Sequence, residues 1–398
     1  MLTRVENILS LVNMGLRSFV PVAIVPLLMN SRDHAAASDW IYYTYSMLII
    51  MTMEQGVYSY LLRRKIRRIR GSETSKVNVN IIIIIISIIF ASIYLYVEDW
   101  NIIAIVLSLF IVSALSKTNE MKSNFEALKK LKQIRLAELI STLTLIIFWV
   151  SLIILSDLTI VYVFLLGQAL YFSLLALLLY ICKIKLDLDI QSRREETFKV
   201  SVLELSREMK LIFEQFIPLI FINTFYISML SFNFYGDTPE QNIYYEYFVV
   251  LIRSVGYAAL IPLTNSVATS FDIQLMDNFR RLFPSFLKIF LSGSALSLLL
   301  LVFMVSTYST VSFEDQSLLL IMMFIVWFGT LVERNFSLIA HLVCITHRED
   351  NFLLYTVPAV FTILIYYLQI EYIIFVPSFI FSLILLLITN IVRYRLRN

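Results

Sequence analysis

The chain has 398 residues, of which 59% are hydrophobic and only 15% charged, and its mean hydropathy is +0.81. A soluble protein of this length carries nearer a quarter of its residues as charges, so a water-soluble globular enzyme is excluded. The net charge of +3 is too small to mark a nucleic-acid partner.

Apolar runs of membrane-spanning length recur along most of the sequence, which predicts an all-α polytopic membrane protein. In chain order the first six predicted spans are Ile8–Met29, Trp40–Leu62, Val79–Val97, Ile102–Ser116, Ile134–Leu155 and Leu158–Cys182. The other six are Leu211–Tyr235, Asn242–Val267, Pro284–Thr307, Ser317–Val343, Phe352–Leu368 and Tyr372–Val392. The second span fixes the direction of the rest. It opens on Trp40, Tyr42, Tyr43 and Tyr45, an interfacial aromatic belt, and ends on Arg63–Arg70, where six of eight residues are basic. Such a cluster stays on the cytoplasmic side, so this helix runs inward. Within the third span, Ile81–Ile86 reads as lipid-facing filler. The fourth span is short and is expected to continue as helix beyond the membrane. Glu120–Arg135 reads as a basic amphipathic helix at the inner leaflet.

The loops agree with this direction throughout. Those assigned inside hold Lys76, Lys117, Lys122, Lys129, Lys130, Lys132, Arg135, Lys183, Lys185, Arg193, Arg194, Arg280, Arg281 and Arg348, with Arg393, Arg395 and Arg397 in the tail. Those assigned outside hold Arg32 beside acids such as Glu98, Asp99, Asp157, Asp237, Glu240, Glu314 and Glu371. Both termini are therefore expected in the cytoplasm. The longest break, 183–210, is a charged amphipathic linker dividing an N-terminal six-helix lobe (1–182) from a C-terminal one (211–398). A faint repeat supports the division: Arg17–Pro21 faces Glu214–Pro218, and Gly56–Tyr58 faces Gly256–Ala258.

Constellations for catalysis are missing from the sequence. The three histidines, His34, His341 and His347, lack partners at metal or triad spacing, and there is no phosphate-binding glycine loop. No enzyme activity, metal or cofactor is expected. Cys182 and Cys344 lie at apolar-to-polar transitions on the inside, where a disulfide is not expected. The informative residues are charges inside spans: Arg17, Glu54, Glu246, Arg253, Glu333 and Arg334, with Glu138 and Glu214 nearer inner ends. A charge at the bilayer centre costs roughly 2.5–3.5 kcal/mol on insertion scales. Arg17 and Arg253 sit too deep to reach water, so each calls for a wet cavity or a partner, and an Arg17–Glu54 bridge is one alternative. Glu54, Glu246, Glu333 and Arg334 are candidates for ion coupling or charge balance. Glu138 and Glu214 are expected to snorkel to water.

The first helix carries paired prolines (FVPVAIVPLL), the second ends in EQGVYSYLLRRKIRRIR, and the eighth reads YYEYFVVLIRSVGYAALIPLTNSVATSF. These segments resemble the Wzx-type O-antigen flippases of the multidrug/oligosaccharidyl-lipid/polysaccharide (MOP) exporter superfamily. The resemblance implies a MATE-like fold of about twelve helices, with two six-helix lobes around a central cavity that opens alternately to each side. It implies as cargo an undecaprenyl-diphosphate-linked oligosaccharide, an O-antigen repeat unit used in lipopolysaccharide biosynthesis, crossing the bacterial inner membrane. Membrane lipids would surround the protein, and a polysaccharide polymerase and a chain-length regulator would be partners. Arg17 and Arg253 match helices and depths at which related lipid flippases hold cavity arginines, and guanidinium suits a diphosphate. A drug or cation antiporter of the same superfamily, or an unrelated twelve-helix secondary transporter, are the competing readings. A polysaccharide polymerase would need a large outside loop, which the sequence lacks.

Overall fold

The computed structural model describes residues 4–69, parts of 85–95, 100–128, 130–186, 206, 245–256, 259, 275–308 and parts of 323–331. The seventh, eleventh and twelfth predicted spans and most of the 183–210 linker lie outside the described residues, as do Glu214, Glu333 and Arg334. Among the described residues every regular element is helical. The long helices are α1 (Arg4–Ser31), α2 (His34–Ile69), α3 (Ile102–Ala127), α4 (Leu131–Leu155), α5 (Ile160–Lys185) and α6 (Leu275–Tyr308). Four stretches among the described residues are long and apolar enough to cross a membrane: α3, α4, α5 and Phe283–Phe303 of α6. The chain is a multi-pass membrane protein.

Local chemistry explains where the helices start. Asp33 Oδ1 accepts from the Ala36 amide at 2.6 Å and caps α2. Asn101, extended at φ −68° and ψ 157°, accepts from the Ala104 amide at 2.9 Å and caps α3. From there α2 runs 36 residues, about 54 Å at 1.5 Å per residue. That is well beyond a hydrocarbon thickness of about 30 Å, so its basic end continues past the apolar stretch as helix.

The fourth predicted span does continue, as expected, to Ala127. The expected amphipathic helix over Glu120–Arg135, however, is not an element. Residues 120–127 are the end of α3, the chain turns at Leu128, and 131–135 begin α4. The reason is burial: Met121, Phe125, Leu131 and Ile134 are all packed inside, leaving no apolar face to lie on lipid. The lipid-facing surface is instead a set of helical stripes. Ile85, Ile89 and Ile93 are exposed while Ser87, Ala91 and Leu95 are fully buried. On α3 the exposed stripe is Ile102, Val106 and Phe110, giving way to exposed Lys117 one turn past the apolar part. So much bare isoleucine, leucine and phenylalanine is tolerable only against lipid.

By packing the chain forms two units, one of Met1–Tyr42 with Phe221–Asn398 and one of Tyr43–Ile220. In the second unit α5 is the central helix, packed along both α3 and α4. Trp149 of α4 anchors the α4–α5 contact. Its ring stacks on Phe164 at 5.9 Å, and its Nε1–H donates to the Val163 carbonyl at 3.1 Å. Gly167, one turn along α5 from Val163, makes this possible, because a Cβ there would overlap the indole. Gly167→Ala is therefore expected to displace Trp149 and lower stability by about 2–4 kcal/mol, combining overpacking with a lost hydrogen bond. Thermal unfolding of the purified variant in detergent, followed by the loss of its monodisperse peak, checks this.

In the first unit the helical segment 247–256 is buried on every side. Each residue from Tyr247 to Gly256 is enclosed, as a helix surrounded by other helices must be. Gly293 of α6 permits one of these contacts, since a Cβ there would come within 2.8 Å of Val255 Cγ1. Phe286, Phe290 and Trp327 continue the core as ring contacts, with Trp327 Nε1 donating to Ser294 Oγ at 3.1 Å.

Candidate functional site

Arg253 lies on that enclosed central helix of the first unit and is only 5% exposed. It has a partner within the protein, as a guanidinium taken out of water requires. Arg17 is placed in the middle of α1, in the same unit, and its side chain lies outside the described residues. Two turns of helix separate Glu246 from Arg253. Glu246 is half-buried, and the Ser38 hydroxyl, at the start of α2, donates to its Oε2 at 3.2 Å. The first unit thus carries Arg17, Glu246 and Arg253, three of the charges singled out inside spans. Glu333 and Arg334 lie outside the described residues.

Glu54 belongs to the second unit. It is fully buried, at 0% exposure. The side chains of Ser87, Ser116 and Asn119 surround its carboxyl group, and none of these carries a charge. Asn119 is fixed there by its own Nδ2, which donates to the Glu54 backbone carbonyl at 3.0 Å. Neither carboxyl oxygen of Glu54 has a hydrogen bond of ordinary geometry. The groups facing Glu54 among the described residues are thus neutral hydroxyls and an amide from the 85–95 segment and α3.

A third cluster, missed by the sequence reading, occupies the basic end of the second unit. Glu138 was expected to reach water, and the structure corrects this. Its side chain is 2% exposed and is clamped by Lys122 Nζ at 2.6 Å and Arg135 Nη1 at 2.8 Å. The cause is the extension of α3 beyond the membrane, which carries Lys122 over the start of α4 and closes Glu138 off. Lys122 also lies 5.6 Å from the centre of the Tyr58 ring, within cation–π range. Glu126 faces the Tyr58 hydroxyl. Nearby, Lys65 of α2 donates to the Glu120 carbonyl and to Ser123 Oγ, both at 2.7 Å. Basic residues read as topogenic are thus also internal fasteners joining α2, α3 and α4. A sequence signal existed: Ser116, Asn119, Ser123 and Glu126 recur at helical spacing on one face of α3, where a lone membrane helix would place apolar residues.

No metal-ligand cluster of histidine, cysteine, aspartate and glutamate occurs among the described residues. The three places just described have in common an acidic or basic side chain withdrawn from water.

No family model matches the chain, and no characterised protein matches it by sequence. Solved structures do. The eukaryotic MATE transporter AtDTX14 superposes with a TM-score of 0.52 at 9% identity, covering 98% of this chain and 92% of its own. A MATE protein in a bent conformation gives 0.51 at 11% identity, covering 98% and 93%. The MATE transporter ClbM in complex with Rb+ gives 0.50 at 12% identity, covering 97% and 93%. Over almost its whole length this membrane protein has the MATE transporter fold.

Proposed function

We propose that the protein is a flippase. Its cargo is an oligosaccharide linked to undecaprenyl diphosphate, carried across the bacterial inner membrane by alternating access, with both termini in the cytoplasm and the chain working as two six-helix lobes. The observation that carries this reading is Arg253, a buried guanidinium on the central helix of the first unit. An anionic cargo gives such a residue a purpose, because guanidinium binds phosphate through two parallel hydrogen bonds. Arg17 on α1 of the same unit supplies a second positive charge. The lipid tail stays in the bilayer while diphosphate and sugars cross. Arg253 becomes reachable in the state that admits the cargo and is closed off in the state described here. A polysaccharide polymerase and a chain-length regulator are the partners that then finish the surface polysaccharide.

A cation-exporting antiporter is the second reading. Glu54, buried without a basic neighbour among the described groups facing it, favours it. Deleting the gene in its host separates the two. A flippase deletion accumulates lipid-linked repeat units on the cytoplasmic side and strips polysaccharide from the surface. An antiporter deletion leaves surface polysaccharide unchanged and sensitises the cell to cationic compounds.

A further inference from the structure

Consecutive helices α4 and α5 pack along each other, and Gly167 of α5 lies against Trp149 of α4, which fixes the sides that meet. Lys185 lies about five whole turns beyond Gly167, so it returns to the same side of α5 about 27 Å further along. Leu131 stands about five whole turns before Trp149 on α4, which runs the opposite way. Lys185 therefore comes beside the first turn of α4, where Lys130 and Lys132 are exposed, as Lys185 itself is. Each helix also bares an apolar stripe here. Lys132 heads Leu136, Ile140 and Leu143 on α4, and Lys185 closes Leu177, Ile181 and Ile184 on α5. The α4 stripe reaches about 16 Å from its lysine, close to half of a hydrocarbon core of about 30 Å. The two helices contain one acidic residue between them, Glu138, and Lys122 and Arg135 hold both its oxygens. Lys117, which follows the exposed stripe of α3, is by contrast paired with Glu120 at 2.8 Å.

We propose that this end of the α4–α5 seam binds one anionic phospholipid of the inner leaflet. Lys132 and Lys185 hold its phosphate, Lys130 adds to the positive field, and the acyl chains lie on the two apolar stripes. Lysine suits the place, because its stem covers apolar surface while its ammonium group stays at headgroup depth. Headgroup charge decides the class of lipid. An ethanolamine or choline headgroup brings its own cation against the lysines, whereas a glycerol headgroup leaves the phosphate as the whole charge. Each lysine at an anionic membrane surface is worth about a fivefold preference. The apolar stripes that begin at the lysines select a lipid over a soluble anion. A lipid held here joins α4 to α5 from outside, at the end where the Lys122–Glu138–Arg135 cluster joins α3 to α4 from inside. The site belongs to the second unit alone and is independent of what the protein carries.

The test uses the purified full chain, stripped of lipid in detergent and given no cargo. Dioleoyl phosphatidylglycerol and dioleoyl phosphatidylethanolamine are added in equal amounts, and the lipids retained on the protein are counted by native mass spectrometry. At low lipid one phosphatidylglycerol is expected to be retained, preferred about 25-fold over phosphatidylethanolamine. Lys132→Gln and Lys185→Gln each lower that preference to about fivefold, and the double variant lowers it to near one. Both lysines are exposed, so the variants keep the fold, and an unchanged melting curve without added lipid verifies this. Lys117→Gln, which removes another exposed lysine of the same unit, leaves the preference unchanged. Equal retention of the two lipids by the wild type overturns the proposal, as does a preference that survives the double variant. Displacement of the lipid by glycerol phosphate at an equal concentration also overturns it, by making the site one for a soluble anion.

Discussion

Glu138→Ala is expected to destabilise the second unit by about 3–5 kcal/mol, the cost of leaving a buried charge unpaired. Glu138 is 2% exposed, and its two oxygens are divided between Lys122 and Arg135, themselves only 16% and 13% exposed. Removing the carboxylate strands two cations near the membrane surface in a space built to exclude water. Glu138→Gln keeps the shape and loses the charge, so it should be nearly as damaging. The double variant Glu138→Gln/Lys122→Met removes one cation as well and is expected to recover part of the loss. Membrane abundance and detergent melting of the single and double variants check this. Equal stability of Glu138→Ala and wild type would mean that the cluster is solvated in the membrane. The exposed pair Lys117–Glu120, at 2.8 Å but with side chains 63% and 36% exposed, supplies the control. Breaking it should change stability by less than about 1 kcal/mol.

Arg253→Ala is expected to remove transport while leaving the protein in the membrane. Hydrogen bonds to charged groups contribute about 1.5–3 kcal/mol, which is a loss of roughly 10- to 150-fold if they are made to the cargo as it crosses. Arg253→Lys keeps the charge but not the planar fork, and retains part of the activity. Arg17→Ala should behave like Arg253→Ala if both hold the same diphosphate, and the double variant should then be little worse than either single one. The readout is surface polysaccharide normalised to membrane protein. A purely structural arginine gives a different pattern: protein levels fall in step with activity, and Lys is no better than Ala. Full display from both alanine variants at normal abundance would remove the arginines from the cargo site.

The legible part of the molecule was the part written in local pattern. Apolar runs and their flanking charges located α1 to α6, because a helix in lipid must satisfy its own backbone and show lipid an apolar face. Boundaries moved where helices outlast the membrane. The length of α2 past Arg63 and the start of α6 at Leu275, with Pro284 inside it, were not readable from hydropathy. What hydropathy hid were pairings distant in sequence. Lys122 and Glu138 lie on different helices, as do Lys65 and Ser123, so their charges looked like independent topogenic signals until α3 was seen to carry them inward. Glu54 was conspicuous alone, but Ser87, Ser116 and Asn119 were unremarkable polar residues within apolar runs. Arg253 was singled out by its depth in the span and by the resemblance to lipid flippases. That the helix bearing it is enclosed on every side became visible only in the fold.

The most direct test of the flippase reading is translocation itself, with the purified chain in liposomes containing the host's own undecaprenyl-diphosphate oligosaccharide. The sugar is placed in the inner leaflet, and its arrival outside is read by an added glycosidase that cannot cross the bilayer. Time-dependent cleavage of sugar beyond the outer-leaflet fraction, present with wild type and lost with Arg253→Ala, is the predicted result. Intact inner-leaflet sugar in vesicles that meanwhile accumulate a cationic drug would contradict it.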